Sequence, residues 1–98
     1  MFAMVMSFDG ESERDLADGM AHVQDEVIPA LQQRGGVTGW WLVDKEAGCR
    51  VTVMVWESDE QYQAGMARIG ELRAQHPDRN RPAPTSVQRL EVYGSVPG

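Results

Sequence analysis

The stretch VTGWWLVDKEAGCRVTVMVW, Val37 to Trp56, decides the fold. β-Branched and aromatic residues dominate both of its arms, whereas Asp44, Lys45, Glu46 and Gly48 between them are turn-formers with little strand propensity, so the segment reads as a β-hairpin. All three tryptophans lie in it. With an even number of loop residues, Trp40, Leu42, Val51, Val53 and Val55 share one face, and Gly39, Trp41, Val43, Thr52, Met54 and Trp56 share the other. An odd loop would exchange the faces of one strand. In either case both faces are largely apolar, the pattern of a sheet covered on both sides.

Working outward, Phe2 to Phe8 alternates Phe2, Met4, Met6 and Phe8 against Ala3, Val5 and Ser7, a first strand that is again apolar on both faces. Ser12 is placed as the N-cap of a first helix with Asp15 three residues on. The apolar stripe of that helix is Leu16, Met20, Val23, Val27 and Leu31. Pro29 removes a backbone donor and crowds the carbonyl of Asp25, at a cost of about 3 kcal/mol in a regular helix, so a kink or break is expected there. Gly35 and Gly36 end the element.

Beyond the hairpin, Ser58 caps a second helix whose stripe is Tyr62, Met66, Ile69 and Leu72 and which ends near His76. Gly65 and Gly70 each weaken it by roughly 1 kcal/mol against alanine, which is tolerable where close packing or a cavity needs a small residue. His76 to Thr85 carries three prolines without apolar periodicity and reads as a loop, and Ser86 to Tyr93 as a last strand. The order β-α-β-β-α-β over a single domain, residues 1–98, defines an α+β class: a ferredoxin-like four-stranded antiparallel sheet with two helices on one face. The opposite face stays bare and apolar, and a second copy packed sheet to sheet is the simplest cover, so a homodimer is expected.

A net charge of −6 with no clustering of lysine and arginine disfavours nucleic-acid and anionic-membrane partners. The single cysteine, Cys49, cannot close an internal disulfide, and the first residues lack a signal-peptide pattern, so a cytoplasmic location is expected. No apolar run reaches the roughly 20 residues of a membrane span. Cys49 has only Arg50 as a basic sequence neighbour, which argues against a nucleophilic role. His22, Asp25 and Glu26, at i, i+3 and i+4, could converge on a metal, but a solvated face with local charge pairing is the preferred reading and no metal is assigned. His76 at a helix C-terminus is favoured there as a cation and could titrate at a pocket mouth.

The phrase VTVMVWESDEQYQAGM, preceded by EVIPALQQRGGVTGWWLV, resembles the antibiotic-biosynthesis monooxygenase-like proteins of the dimeric α+β barrel superfamily. The hydrophobic-Trp-Glu-Ser-acidic lead into the second helix is the most specific part of the resemblance. It implies a ferredoxin-like protomer, a dimer built by pairing sheets, and a pocket between helices and sheet. Such pockets oxidise quinol-like polyketides with oxygen and without metal or flavin, degrade haem, or serve other chemistry. Haem-degrading relatives use an asparagine on the first strand, a tryptophan within the second helix and a histidine near its end, where this chain carries Ser7, Gly65 and His76. The only asparagine here is Asn80, in the proline-rich loop, so haem degradation is disfavoured.

The expected function is that of a cofactor-independent monooxygenase-like enzyme for a small aromatic or quinol-type substrate. Trp40 or Trp56 with Tyr62 and Met66 are expected to wall the pocket, and His76 or Ser7 to supply a polar contact. The alternative is a non-catalytic dimeric protein that binds a small apolar ligand.

Overall fold

The computed structural model describes residues 1–75 and 83–97. The elements are β1 (Phe2–Phe8), α1 (Glu13–His22), a π-helical turn (Val23–Val27), α2 (Ile28–Arg34), β2 (Val37–Asp44), β3 (Cys49–Trp56), α3 (Asp59–Ala74) and β4 (Ser86–Glu91). The four strands form one sheet in the order β2-β3-β1-β4, and every neighbouring pair is antiparallel. This is the ferredoxin-like arrangement expected of the sequence. The last strand ends at Glu91, short of the expected Tyr93.

The hairpin register settles its faces. Asp44 pairs with Cys49, so residues 45–48 form an even loop, and Asp44 Oδ1 accepts the Ala47 N–H at 3.1 Å inside it. Gly48 takes φ +67°, a left-handed conformation in which a side chain would be strained. Opposed residues of an antiparallel pair share a face. Trp41, Thr52, Met54 and Trp56 therefore lie on one side with Phe2, Met4 and Met6, while Trp40, Leu42, Val51, Val53 and Val55 lie on the other with Ala3, Val5 and Ser7.

Helices cover only the first of these faces. Phe2, Met4, Met54 and Trp56 from the sheet, Val27 and Leu31 from the first helical stretch, and Ile69 from α3 make one buried cluster. Trp56 sits at its centre with Tyr62 edge-on, their ring centroids 5.6 Å apart, and Phe2 edge-on to Tyr62 at 5.5 Å. The uncovered face leaves Trp40 and Leu42 each 52% exposed and Leu90 of β4 47% exposed.

Both capping expectations hold: Ser12 Oγ accepts from the Asp15 N–H at 3.1 Å, and Ser58 Oγ from the Gln61 N–H at 3.2 Å. At Pro29 the expected disturbance is a change of helical pitch, and the helix does not break. The chain stays helical from Glu13 to Arg34, and the regular ladder widens into the π turn just before the proline, where the Ile28 N–H reaches the Val23 carbonyl. A proline ring clashes with the carbonyl four residues back, here that of Asp25, and one wider turn relieves the clash without ending the helix.

The two helix-interior glycines of α3 differ in kind. A Cβ built at Gly65 would lie 2.3 Å from Trp56 Cη2, whereas one at Gly70 meets nothing within 4 Å. Gly70→Ala is expected to raise stability by roughly 0.5–1 kcal/mol through helix propensity and the unfolded chain's lost freedom. A denaturation midpoint at or below that of the parent chain would contradict this. Among the described residues no helix is long and apolar enough to cross a membrane.

Candidate functional site

Between the covered face of the sheet and the helices lies a cleft of about 770 Å³, within the range of small-molecule sites. Met6, Thr52 and Met54 contribute its sheet side, Trp41 lines it from β2, and Met66 and Ile69 line it from α3. Trp41 lies back along its own strand over Gly39, where an added Cβ would fall 2.9 Å from the indole Cη2. The absence of a side chain at Gly39 lets the ring adopt this position.

The remaining wall is polar and comes from the first helical stretch. His22 Nδ1 and Glu26 Oε2 are 2.5 Å apart, with side-chain exposures of 19% and 21%. This pair and Asp25 line the cleft, so the expected solvated face for the pair is corrected: its side chains are mostly covered. The pair has the i, i+4 spacing at which helical side chains meet, with the π turn running through Val23–Val27. No group of three metal-ligating side chains occurs among the described residues.

Arg50 closes the end of the cleft near the hairpin. Its Nε and Nη2 donate to the two carboxylate oxygens of Glu11, each at 2.8 Å. The guanidinium stacks over Phe8, 4.8 Å from the ring centroid, and packs on Gly19, where a Cβ would come within 2.7 Å of it. Gly48 joins the same assembly, since its carbonyl accepts the Glu11 N–H at 2.9 Å. The neighbouring Cys49 thiol is pushed up by desolvation, by a hydrogen bond with Asp9, and by the negative charges of Asp9, Asp44 and Glu11. It stays protonated at neutral pH, in keeping with the expectation of no nucleophilic role.

Of the residues expected from the sequence to form the site, Trp56, Tyr62 and Met66 share one cluster, while Trp40 and Ser7 lie elsewhere. Met66 lines the cleft. Trp56 and Tyr62 pack in the buried core beneath it. Trp40 and Ser7 occupy the uncovered face of the sheet, and His76 lies outside the described residues. Trp41, Thr52 and Arg50 were not singled out as a site, and His22 and Glu26 were weighed only as metal ligands with Asp25. Only hairpin parity could have indicated Trp41, since an even loop groups it with Thr52 and Met54. The position at which the resemblance puts a helix tryptophan is Gly65, and the Trp56 ring already fills the space any side chain there would need.

The architecture is thus an α+β sheet of ferredoxin-like order with a cleft under its helices. No family model matches the chain. The uncharacterized protein Rv2558 of Mycobacterium tuberculosis is 39% identical over 56 residues, 56% of this chain and 24% of that protein. The uncharacterized protein Rv2557 of the same organism is 32% identical over 80 residues, 81% of this chain and 30% of that protein. The chain therefore spans less than a third of the length of the curated relatives it matches.

Among solved structures, a monooxygenase from the gene ActVA-Orf6 of Streptomyces coelicolor, in complex with the ligand nanaomycin D, superposes with a TM-score of 0.73. It is 16% identical, with 99% of this chain and 91% of that chain covered. A dimeric ferredoxin-like protein from an uncultured marine organism gives 0.69 at 16% identity, with 99% and 98% covered. MhuD of Mycobacterium tuberculosis, a heme-degrader with two hemes bound in its active site, gives 0.63 at 20% identity, with 99% and 100% covered. The chain has the fold of these proteins, the one that its resemblance to antibiotic-biosynthesis monooxygenase-like proteins implies.

Proposed function

We propose that the chain is a monooxygenase-like enzyme that takes a small planar aromatic or quinol-type substrate into the cleft, working as a homodimer paired through the uncovered sheet face. The observation that carries the reading is the cleft itself: about 770 Å³, with Trp41 and the methionines Met6, Met54 and Met66 on one side and charged side chains on the other, in a fold whose solved relatives hold nanaomycin D in one case and hemes in another. An indole and methionine surface offers a flat ring its stacking partner, and the polar wall opposite can meet the ring's hydroxyl or carbonyl groups. The reaction that fits turns a ring methylene into a carbonyl. One oxygen atom of dioxygen enters the carbonyl, the other leaves as water with both methylene hydrogens, and the substrate supplies all the electrons that reduce dioxygen. A reducing cytoplasm suits the free thiol of Cys49.

Binding and turnover are tested together by adding anthrones and hydroquinones to the protein while following tryptophan fluorescence and dissolved oxygen. Trp41→Ala is expected to weaken binding about tenfold, the loss of one aromatic stacking contact, with Trp40→Phe within about twofold of the parent. Saturable quenching without oxygen uptake would leave a non-catalytic binding protein. Equal weakening by both substitutions would remove the cleft from the reading.

The dimer rests on Trp40, Leu42 and Leu90, about half exposed on a face whose other members include Val51, Val53 and Val55. Apolar surface of this kind calls for a cover, and one of the proteins of the same fold is dimeric. Trp40→Glu buries two charges against each other across a symmetric interface, so sedimentation is expected to show a monomer, with the protomer's circular dichroism retained. An unchanged sedimentation coefficient would reject the paired face.

A further inference from the structure

We infer that the Thr52 hydroxyl is a recognition group on the floor of the cleft, and that the ligand enters it with a neutral oxygen first, a phenol or a ring carbonyl, any charged group staying at the rim. This rests on the reading above that the cleft takes a planar aromatic. Thr52 is the one buried polar residue among those described, 6% exposed. The sheet register sets it between Trp41 of β2 and Met6 of β1, with Met54 next on the same face of its own strand, and all four line the cleft. Among the described residues the unpartnered side-chain group that is wholly enclosed is the Trp56 indole N–H. The Thr52 hydroxyl also has no hydrogen-bond partner there, but it keeps an opening, and the cleft is what it opens on. Valine has the shape and strand propensity of threonine and would fill this place without stranding a hydroxyl.

A hydroxyl both donates and accepts, so it can give a hydrogen bond to a ring carbonyl or take one from a phenol. It carries no charge. Arg50, the cation on the same face of β3, is already bound through Nε and Nη2 to both carboxylate oxygens of Glu11. A carboxylate brought to this depth would exchange its hydration shell for a single hydroxyl, which is a large loss. The other cleft arginines, Arg14 on α1 and Arg73 on α3, are exposed and belong to the rim. One orientation follows: the ring lies against Trp41 and the methionines, its oxygen end points to the sheet, and charged substituents face out. Thr52 thereby determines specificity by contact with the ligand.

The test compares 2-naphthol, naphthalene and 2-naphthoate, one ring system with a neutral oxygen, with none and with an anion, by equilibrium dialysis against the full chain at neutral pH. The parent protein is expected to bind 2-naphthol about fivefold more tightly than naphthalene, the worth of one neutral hydrogen bond, and 2-naphthoate about tenfold more weakly than 2-naphthol. Thr52→Val, which keeps the shape of the side chain, is expected to bind naphthalene within about twofold of the parent and to lose the preference for 2-naphthol. Thr52→Ser, which keeps the hydroxyl, retains that preference. A residue that only packs would leave it the same in all three proteins. Equal binding of 2-naphthol and naphthalene by the parent, or a preference undiminished in Thr52→Val, overturns the role of Thr52 and leaves the aromatic pocket standing. 2-Naphthoate held as tightly as 2-naphthol overturns the neutral inner end. No binding of any probe by any of the three proteins overturns the pocket as well.

Discussion

Replacing Glu11 with alanine is expected to lower the free energy of unfolding by about 3 kcal/mol, a large effect for a residue in a connection between β1 and α1. The Glu11 side chain is 4% exposed and that of Arg50 15%, so removing the carboxylate leaves a cation covered by Phe8 and Gly19 with its bidentate partner gone. Burying a charge unpaired costs far more than losing an exposed pair. The exposed pair of Arg14 with Asp18, 3.9 Å apart, sets the contrast: Asp18→Ala should change stability by less than about 0.5 kcal/mol. Removing both charges, as Glu11→Leu with Arg50→Met, should recover most of the loss, because two apolar side chains of similar volume avoid the desolvation cost. Urea midpoints of the parent and these variants decide the matter, and a Glu11→Ala midpoint no lower than that of Asp18→Ala would contradict the buried-pair account.

Gly65→Ala is expected to destabilise the protein by about 2 kcal/mol even though alanine is the better helix former. The added methyl would meet Trp56 Cη2 at 2.3 Å and Cζ3 at 2.6 Å, and the Trp56 ring is fully buried. Trp56→Phe alone should cost about 1–2 kcal/mol from the space it leaves, partly offset because the indole N–H has no acceptor among the described residues. In the double variant the shorter ring makes room for the methyl, and Gly65→Ala should become neutral or mildly stabilising. A double-mutant cycle should therefore return a coupling of about 2 kcal/mol. Additive losses would show that the methyl is accommodated by helix movement instead.

Much of the fold was legible because it rests on local rules. Ser12 and Ser58 cap helices where their spacing to Asp15 and Gln61 put them, and the alternation of Phe2–Phe8 and of the hairpin arms reappears in the register. The site was less legible for two physical reasons. Whether Trp40 or Trp41 meets the helices depends on one residue of loop length, and the period-two alternation of a strand carries no memory of that parity. His22 and Glu26 stand beside the apolar stripe on a helical wheel, whose spacing shows that they meet but not which tertiary neighbours cover them. Pro29 signalled a disturbance of the helix without revealing that it would take the form of a wider turn.

The position of β1 also sets the order in which the chain can fold. The hairpin of β2 and β3 joins neighbours across residues 45–48 and closes quickly, but β1 lies between β3 and β4, pairing Phe2 with both Trp56 and Glu91. On the ribosome one edge of β1 can pair with β3, but the other must wait for β4, the last strand of the sheet to be made, and until then that edge of a strand rich in methionine and phenylalanine stays unpaired. Loop closure over such separations is slow compared with local hairpin or helix formation. The chain's exposure to aggregation is thus greatest during synthesis, before β4 has emerged to take its place along the edge of β1.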